Sequence, residues 1–407
     1  MILRASRIVG ALMMAVLLPA QTWAQQPDNE DRAKALALCK QQRYLEALPT
    51  LETLATQTPN DAVVQEALGF ALMMKTNVIS DPADRKQTRL RARAAGLKAH
   101  ELGDDSQLDQ LLLELPEDGS DPAPFSNSKE VDAAMRAAEA AFAEHRYEDA
   151  LAGYQKALAL DPHQYAAALF IGDVYFKMQQ HVTAGEWFAR AIAIEPNAET
   201  AYRYWGDTLA ANGEDDRALD RYIDAIVAEP YKRLSWVGLT NWVQRNHKQL
   251  APPDIKSPNS ISTVGSGTNI TIDSNSLKAT DGSNNWMMYE IARAAWQTDA
   301  HKKDFPDGKY RHSLREESDA LNLVAEMIAA DVTKHKIKQL NPALATLLEL
   351  RQKGLLESYI LISRADEGIA QDYDAYRNNH HEQLRQFIRE YVIHEATGAP
   401  ASRNVSR

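Results

Sequence analysis

Cysteine is nearly absent from this sequence: the chain of 407 residues contains one, Cys39. A single thiol forms no internal disulfide, so packing alone must stabilise the fold. We expect Cys39 to be a small buried residue of a helix, because free cysteines are among the most buried residues. Pairing with a second chain is the alternative.

Positive charge is also scarce. The chain has 45 Lys and Arg against 56 Asp and Glu, for a net charge of −11. This balance disfavours a broad nucleic-acid-binding surface. The hydrophobic fraction of 44% is ordinary for a globular protein. The length predicts two or three domains, or one repeat array with a partner domain.

Motifs for catalysis and for metal binding are missing as well. The His-Glu pairs at 381–382 and 394–395 lack the second histidine of a zinc-peptidase helix. Gly265 and Gly267 lack the third glycine of a phosphate-binding loop, and no Gly-x-Ser-x-Gly or Cys-x-x-Cys occurs. We therefore expect no cofactor, no metal and no enzymatic activity. The five Asp and Asn residues between 273 and 285 are Asp273, Asn275, Asp281, Asn284 and Asn285. We interpret them as turn formers rather than as calcium ligands.

The one long apolar run lies at the N-terminus. Arg4 and Arg7 precede the apolar residues 8–20, and Thr22-Trp23-Ala24 forms a small-x-small cleavage site. Residues 1–24 are therefore predicted to be an export signal. Thirteen apolar residues are too few for a helix to cross a bilayer of about 30 Å, so we expect no membrane anchor after cleavage.

A period of 34 residues is the strongest positive feature. Pro162, Pro196 and Pro230 are each 34 residues apart, and each follows a helical pattern. Small and aromatic residues keep the same phase upstream of each proline: Ala157, Ala191 and Ala225; Tyr154, Phe188 and Tyr222; Ala150, Ala184 and Ala218; Gly172 and Gly206. Small residues let two antiparallel helices approach closely, and the aromatic fills the space under the next unit. Each unit therefore needs a neighbour to bury its apolar face.

This pattern resembles the tetratricopeptide repeat family, in which Leu-Gly, an aromatic, alanines and a closing proline recur at this spacing. The resemblance covers about half of the chain. It implies stacked helix hairpins whose first helices line a concave groove, where a peptide or partner segment binds. Tetratricopeptide proteins that hold the C-terminal carboxylate of chaperones use Lys and Asn in this groove. Here those phases hold acids, which argues against that subclass.

The repeats divide the N-terminal part of the chain. Residues 28–116 are predicted to form two irregular repeats around Pro59 and Leu68-Gly69, with an insertion at 76–88 that lengthens a loop. Residues 117–130, rich in Pro, Asp, Gly and Ser, form a linker. Residues 131–249 then form three repeats and a capping helix.

The remaining residues resemble no family that we recognise. Residues 250–283, rich in Ser, Asn and Gly, contain strand candidates at 261–264 and 269–272. Residues 284–395 form a helical domain and 396–407 a flexible tail. The predicted helices of the helical domain are 286–302, 314–332, 342–353, 355–374 and 382–394. Ser313 and Glu316 are predicted to form a capping box at the start of the second of these helices. The predicted fold class is all-α, an α-solenoid followed by a helical domain with a short β-hairpin.

The resemblance places a partner-binding groove on three helices. Its predicted residues are Met135, Glu139, Phe142, Leu169, Asp173, Phe176, Arg203 and Asp207. An acidic row beside an apolar one suits a protein or peptide partner with Lys or Arg between apolar anchors. Two alternatives remain open. Acids are common at this phase whatever the partner, and Phe142 and Phe176 pack equally well between repeats.

A second polar cluster lies in the C-terminal domain, where Tyr310-Arg311-His312-Ser313 runs into Arg315, Glu316, Glu317 and Asp319. A histidine near carboxylates is a candidate for acid and base catalysis. The alternative is structural: Ser313 and Glu316 cap the helix, and Arg311 and His312 pair with the acids.

The sequence thus predicts an exported scaffold, periplasmic or secreted from a bacterial envelope, that binds a protein or peptide and no nucleic acid. Two alternatives remain. One is an enzyme with its active site in 284–395 and the repeats as a targeting arm, and the other is an architectural subunit of an envelope complex.

Overall fold

The computed structural model describes residues 30–79, 81–104, 106–120, 124–264, 267–298, 300–305 and 310–396. The predicted export signal and all but the first residue of the predicted tail lie outside these ranges. The chain divides into two compact units, which we call the N-terminal unit, 1–221, and the C-terminal unit, 222–407. Among the described residues no helix combines the length and the apolar composition needed to cross a membrane.

The N-terminal unit consists of helices. They are α1 (Glu30–Lys40), α2 (Tyr44–Gln57), α3 (Ala62–Thr76), α4 (Pro82–Glu101), α5 (Gln107–Leu113), α6 (Lys129–Ala143), α7 (Tyr147–Leu160), α8 (Tyr165–Lys177), α9 (His181–Ile194), α10 (Glu199–Ala211) and α11 (Asp215–Ala228), whose last seven residues belong to the C-terminal unit. Successive helices from α6 to α10 pack against one another. The all-α solenoid is confirmed.

One turn recurs with the period of the sequence. Gln42, His145, Gln179 and Gly213 end the first helix of a pair with a left-handed backbone, at φ of 63°, 60°, 60° and 79°. The amide of the following residue then bonds back to the helix, as from Arg146 to the Ala141 carbonyl at 2.8 Å. This C-terminal cap satisfies carbonyls that the helix leaves open. The turn at Gln42 shows that the first of the irregular N-terminal repeats uses the same geometry, whereas α3 in the second ends at Asn77 with a φ of −70°.

Small and bulky residues meet as the sequence predicts. A Cβ atom on Gly172 would lie 2.6 Å from the Phe188 ring, so glycine allows α8 and α9 to approach. The Phe188 ring in turn contacts Tyr204 on α10 edge-on, at 6.0 Å between centroids. Both rings are fully buried. The aromatic residue of this repeat is therefore covered by an aromatic residue of the next repeat.

The inserted residues of the second repeat do not lengthen a loop, and that prediction was wrong. Only residues 77–81 separate α3 from α4, whereas α4 has 20 residues against 14 in α2 and in α7. Asp81 accepts a hydrogen bond from the Asp84 amide, and Pro82 occupies the first turn. This cap, followed by residues of high helix propensity, starts a helix where the composition suggested a loop.

The C-terminal unit continues with helices and two small sheets. Its elements are α12 (Arg233–Arg245), β1 (Lys248–Leu250), β2 (Ser260–Val264), β3 (Gly267–Thr271), α13 (Ser274–Lys278), α14 (Trp286–Thr298), α15 (Leu314–Thr333), α16 (Pro342–Gln352), α17 (Leu356–Tyr359), α18 (Glu367–Ala370), α19 (Tyr373–Phe387) and β4 (Ile393–Glu395). β2 and β3 pair antiparallel with Ile261 opposite Ile270, which confirms the hairpin. The antiparallel pair of β1 with β4 was not predicted.

The last two predicted helices were wrong in their bounds. Residues 355–374 do not form one helix: α17 continues into a π-helical turn at Ile360–Arg364, and Ala365 then turns extended. Asp366 starts α18 by accepting hydrogen bonds from the Gly368 and Ile369 amides. α19 starts nine residues before Glu382 and ends at Phe387. Residues 393 and 394, predicted as helix, belong to β4 instead.

Candidate functional site

The predicted groove residues lie on the first helices of three repeats, but most of them are not at the surface. Met135 and Phe142 on α6 and Leu169 on α8 belong to the hydrophobic core. Phe176 and Asp207 are half-buried, so a partner can touch them. The role of these residues in binding a partner stays a prediction.

Two of the three acids of the row, Glu139 and Asp173, are buried, and no cation among the described residues forms a hydrogen bond with either of them. Glu139 accepts a hydrogen bond from the Tyr154 hydroxyl, and its burial raises its pKa to about 8. Burial also raises the pKa of Asp173 to about 6, although the charge of Lys177 opposes the shift. The Oδ1 atom of Asp173 is buried and has no hydrogen-bond partner among the residues that the structure describes. At neutral pH Glu139 is therefore mostly a neutral acid, and the row carries less charge than its sequence suggests.

The third repeat carries a cation, Arg203, at the position where the first two repeats have Met135 and Leu169. The Arg203 guanidinium is buried and bonds to the Glu199 carboxylate one turn earlier, at 2.9 Å from Nε to Oε2. It also lies over the Tyr204 ring, 5.0 Å from its centroid. Sequence reasoning named Arg203 but not Glu199, although their i, i+4 spacing was a usable signal.

A concave pocket of about 260 Å³ lies between α9, the end of α10 and the start of α11. Its lining residues are His181, Val182, Gly185, Glu186, Ala189, Trp205, Thr208, Leu209, Asn212, Glu214 and Arg217. Val182 is 74% exposed, and Gly185 leaves room for the Trp205 indole. No pattern in the sequence predicted this pocket, which is lined by both apolar and polar residues.

The polar cluster predicted around His312 is largely buried in the C-terminal unit. Ser313 caps α15 by accepting a hydrogen bond from the Glu316 amide at 3.2 Å, as predicted, but the Glu316 carboxylate bonds to Arg293 and Tyr310 instead of completing the predicted capping box. Glu316 and Glu317 then point into the unit, and both are buried. Glu316 accepts hydrogen bonds from Arg293 at 3.0 Å and from Tyr310 at 2.9 Å.

Glu317 has more partners than any other acid described above. It accepts hydrogen bonds from Arg364 Nε at 2.8 Å, from the Tyr289 hydroxyl at 2.8 Å and from His312 Nε2 at 3.1 Å. Burial alone would raise the pKa of Glu317, but His312 and the charges of Arg364 and Arg293 hold that pKa below its usual range. The buried carboxylate is therefore ionised at neutral pH.

The distant partners of this cluster come from residues 364–372. His312 Nδ1 lies 2.7 Å from Asp366 Oδ2. Arg311 forms an ion pair with Asp372 rather than with the acids that follow it on α15. Burial opposes protonation of His312, yet its hydrogen bonds to Glu317 and Asp366 outweigh burial and raise its pKa. Both ring nitrogens are engaged, and the acid and base alternative for this cluster stays a prediction.

The other polar candidates act as caps and turns. Asp273 caps α13 by accepting from the Asn275 amide at 3.1 Å, and Asp281 accepts from the Ser283 amide at 3.0 Å. Among the described residues no group of three or more His, Cys, Asp or Glu has a metal-binding arrangement. Cys39 is half-buried, and burial with the nearby Glu66 charge raises its pKa to about 11. A reactive thiolate is therefore rare at neutral pH.

Comparison with known proteins supports the repeat assignment. The family model described as tetratricopeptide repeat matches residues 141–204. No curated protein matches this chain.

Solved structures with some similarity are repeat proteins. The first repeat domain of Spaghetti, bound to an HSP90 peptide, is 19% identical, with 30% of this chain and 97% of that chain covered and a TM-score of 0.27. The Thermus thermophilus protein TTC0263 is 17% identical, with 53% and 98% covered and a TM-score of 0.28. YrrB, described as having an unusual peptide-binding site, is 16% identical, with 50% and 88% covered and a TM-score of 0.26. Similarity at this level transfers no partner to this chain.

Proposed function

Because the chain carries tetratricopeptide repeats, we propose that it is a scaffold that holds a protein or peptide partner on its N-terminal unit. The observation that carries the proposal is the continuous stack of helices from α6 to α10, whose small and bulky contacts follow the 34-residue period. Solenoids of this kind present extended surfaces, and binding other chains is the common use of such surfaces. The fold alone hosts many roles, so a specific surface has to be tested.

We propose that the partner contacts the half-buried residues of the predicted groove rather than its buried ones. Phe176 on α8 offers an aromatic surface, and Asp207 on α10 offers a carboxylate. Basic residues on the partner fit this surface, since Asp207 lies on it and Asp173 beneath it, whose pKa of about 6 leaves it mostly ionised at neutral pH. An acidic peptide is disfavoured for the same reason. The scaffold is proposed to act outside the cytoplasm, on the basis of residues 1–24.

The experiment places a photo-crosslinking amino acid in the full chain in its own envelope, at Phe176 in one variant and at Val182 in another. Val182 is the matched control, because it is exposed on the pocket between α9 and α10 rather than in the groove. We expect one defined chain to be captured from position 176 and not from position 182.

The captured chain is then purified and titrated against the Phe176→Ala and Asp207→Lys variants. Phe176→Ala should raise the dissociation rate, and Asp207→Lys should weaken binding and reduce its dependence on salt. Capture from 182 alone, with unchanged affinity in both variants, would move the binding surface to the pocket. No capture from either position would remove the scaffold proposal. Recovery of the mature chain beginning at Gln25 would test export.

A further inference from the structure

His312 lies between two carboxylates that come from different parts of the C-terminal unit. Its Nδ1 atom is 2.7 Å from Asp366 Oδ2, and its Nε2 atom is 3.1 Å from Glu317 Oε2. An ionised carboxylate only accepts hydrogen bonds, so both contacts need an N–H on the ring. Only the protonated imidazole has an N–H on each nitrogen.

We propose that His312 is a proton-operated clamp, which fastens residues 365–372 to the start of α15 when protonated and releases them at Asp366 when it loses the proton. This device is independent of the scaffold proposal, because all of its groups lie in the C-terminal unit.

One end of the clamped segment is held by contacts in which His312 takes no part. Arg311 forms an ion pair with Asp372 and donates a hydrogen bond to the Gly368 carbonyl at 2.7 Å. The Leu314 amide donates to Asp372 Oδ2 at 2.8 Å. Arginine stays charged near neutral pH, so these contacts persist. The proton on His312 therefore controls only the Asp366 end.

The two contacts of His312 differ in what their loss costs. Glu317 is 1% exposed, and a buried carboxylate that loses a donor keeps no access to water. The Asp366 side chain is 54% exposed and can be solvated instead. A neutral His312 therefore keeps its proton on Nε2 toward Glu317. Its Nδ1 lone pair then faces the Asp366 oxygen, which replaces an attractive contact with a repulsive one.

Other charged groups near His312 set the pH range. Arg293 on α14 opposes its protonation, whereas Glu317 on α15 and Asp366 before α18 favour it. Arg364 faces Glu317 from the π-helical turn. The net effect is a raised pKa of His312. The stability that the protonated His312 adds is therefore fully present below the ordinary histidine pKa of about 6.5. It is lost as the pH rises through the higher pKa that His312 has in the folded protein.

The segment that the clamp holds fits closely against the histidine. A Cβ atom on Gly368 would lie 2.3 Å from the His312 carbonyl oxygen, so only glycine allows this approach. The Gly368 and Ile369 amides both donate to Asp366 Oδ1, at 3.0 and 2.9 Å. Movement of Asp366 therefore exposes these two amides, which gives the release a direct readout.

Hydrogen exchange by mass spectrometry on the full chain, at pH 5.5 and 8.5, tests the clamp. Rates are corrected for the intrinsic effect of pH, and peptides from α16 serve as the internal reference. We expect protection of residues 365–372 to fall by about fivefold or more at the higher pH, the ratio expected for loss of one hydrogen bond. The reference peptides should change little.

Two variants separate the clamp from general destabilisation. Asp366→Asn keeps a good helix cap but removes the charge that favours the protonated ring, so the dependence of protection on pH should shrink markedly. His381→Gln, at an exposed histidine of α19, should behave as the parent chain. Nitrogen NMR of the His312 ring in the parent chain gives its protonation state at each pH without any substitution.

Three results would overturn the proposal. These are a His312 ring that is neutral at pH 5.5, protection that does not change with pH in the parent chain, and an Asp366→Asn variant with the full pH dependence.

Discussion

Glu139 in the N-terminal unit and Glu317 in the C-terminal unit are both buried, but in opposite charge states. In the N-terminal unit Glu139 is 5% exposed and accepts a hydrogen bond from one tyrosine, so its pKa rises to about 8. In the C-terminal unit Glu317 is 1% exposed and is surrounded by Arg364, His312 and Tyr289, so its pKa falls. Burial is nearly the same in both, and the partners decide the charge state.

The comparison separates two ways of building a core. The repeats are held mainly by apolar contacts between neighbours. Glu139 is tolerated there because it can take up a proton, whereas Glu199 is paired with Arg203. In the C-terminal unit, Glu317 joins distant segments through ionised groups that satisfy one another. Removing a partner of Glu317 should therefore be costly, and neutralising Glu139 should be harmless or favourable.

The largest expected effect is that of Arg364→Met. This variant removes the ion pair to Glu317 and the hydrogen bonds to Tyr289 and to the Ile255 carbonyl. It should lower the free energy of unfolding of the C-terminal unit by about 3–5 kcal/mol, because a buried charge loses its partner. Urea denaturation measures the change. Arg351→Met, which breaks an exposed pair with Glu326, is the control and should cost no more than about 1 kcal/mol. Equal losses of unfolding free energy in the two variants would contradict the difference between buried and exposed ion pairs.

Gly172→Ala tests whether close apolar packing holds the repeats. The added methyl group would meet the Phe188 ring at 2.6 Å, inside the contact distance of two carbons. We expect a loss of about 1–3 kcal/mol from overpacking. The double variant with Phe188→Leu should recover part of it, since the smaller side chain frees space. A double-mutant cycle in urea measures the coupling, and strict additivity would show that these residues do not pack together.

Glu139→Gln tests the neutral acid. The unfolded carboxyl ionises near its usual pKa of about 4.3, whereas the folded one ionises near 8, so the cost of burying Glu139 begins above the lower value and is complete above the higher one. The variant should match the parent chain at pH 4 and be more stable at pH 8.5, with the difference growing by at most about 1.4 kcal/mol per pH unit between the two pKa values. Glu148→Gln, at an exposed acid of α7, should show no such trend. A variant that is destabilised at pH 8.5 would mean that Glu139 is an ionised, stabilising group.

The smallest expected effect concerns the repeated turn. Gln179 has a φ of 60° where the next repeat has Gly213 at 79°. Gln179→Gly should stabilise the N-terminal unit by about 0.5–1 kcal/mol, because glycine adopts this backbone without steric cost. Gly213→Ala should destabilise it by a similar amount, since no atom lies within 4 Å of the added carbon and only the backbone resists. Thermal denaturation of both variants measures the difference, and shifts of the same sign would contradict the assignment.

Local signals predicted much of the fold. The 34-residue period, the capping residue Ser313 and the β-hairpin around Ile261 each depend on neighbours in the sequence, and each was confirmed. The fate of the insertion near Asp81 was missed, because helix propensity and a good cap outweighed a loop-like composition. The break at Ala365 was missed as well, since the cause lies in contacts of Arg364 and Asp366 with distant residues.

In the candidate sites, too, local sequence predicted some features and distant contacts set the others. The helix and register of Glu139 and Asp173 follow from the repeat, but their burial and raised pKa values do not. For His312, the nearby Glu317 was within reach of the sequence pattern. Asp366, 54 residues away, was not.

The amino-acid sequence by itself determined the stacked helix hairpins, because the spacing of glycine, aromatic and proline residues is a local pattern that repeats. Only the tertiary structure decided which acids are charged, since the charge state depends on the donors that the fold brings to each carboxylate. It also decided the pairing of β1 with β4 and the position of His312 between two carboxylates, because both join residues that are far apart along the chain.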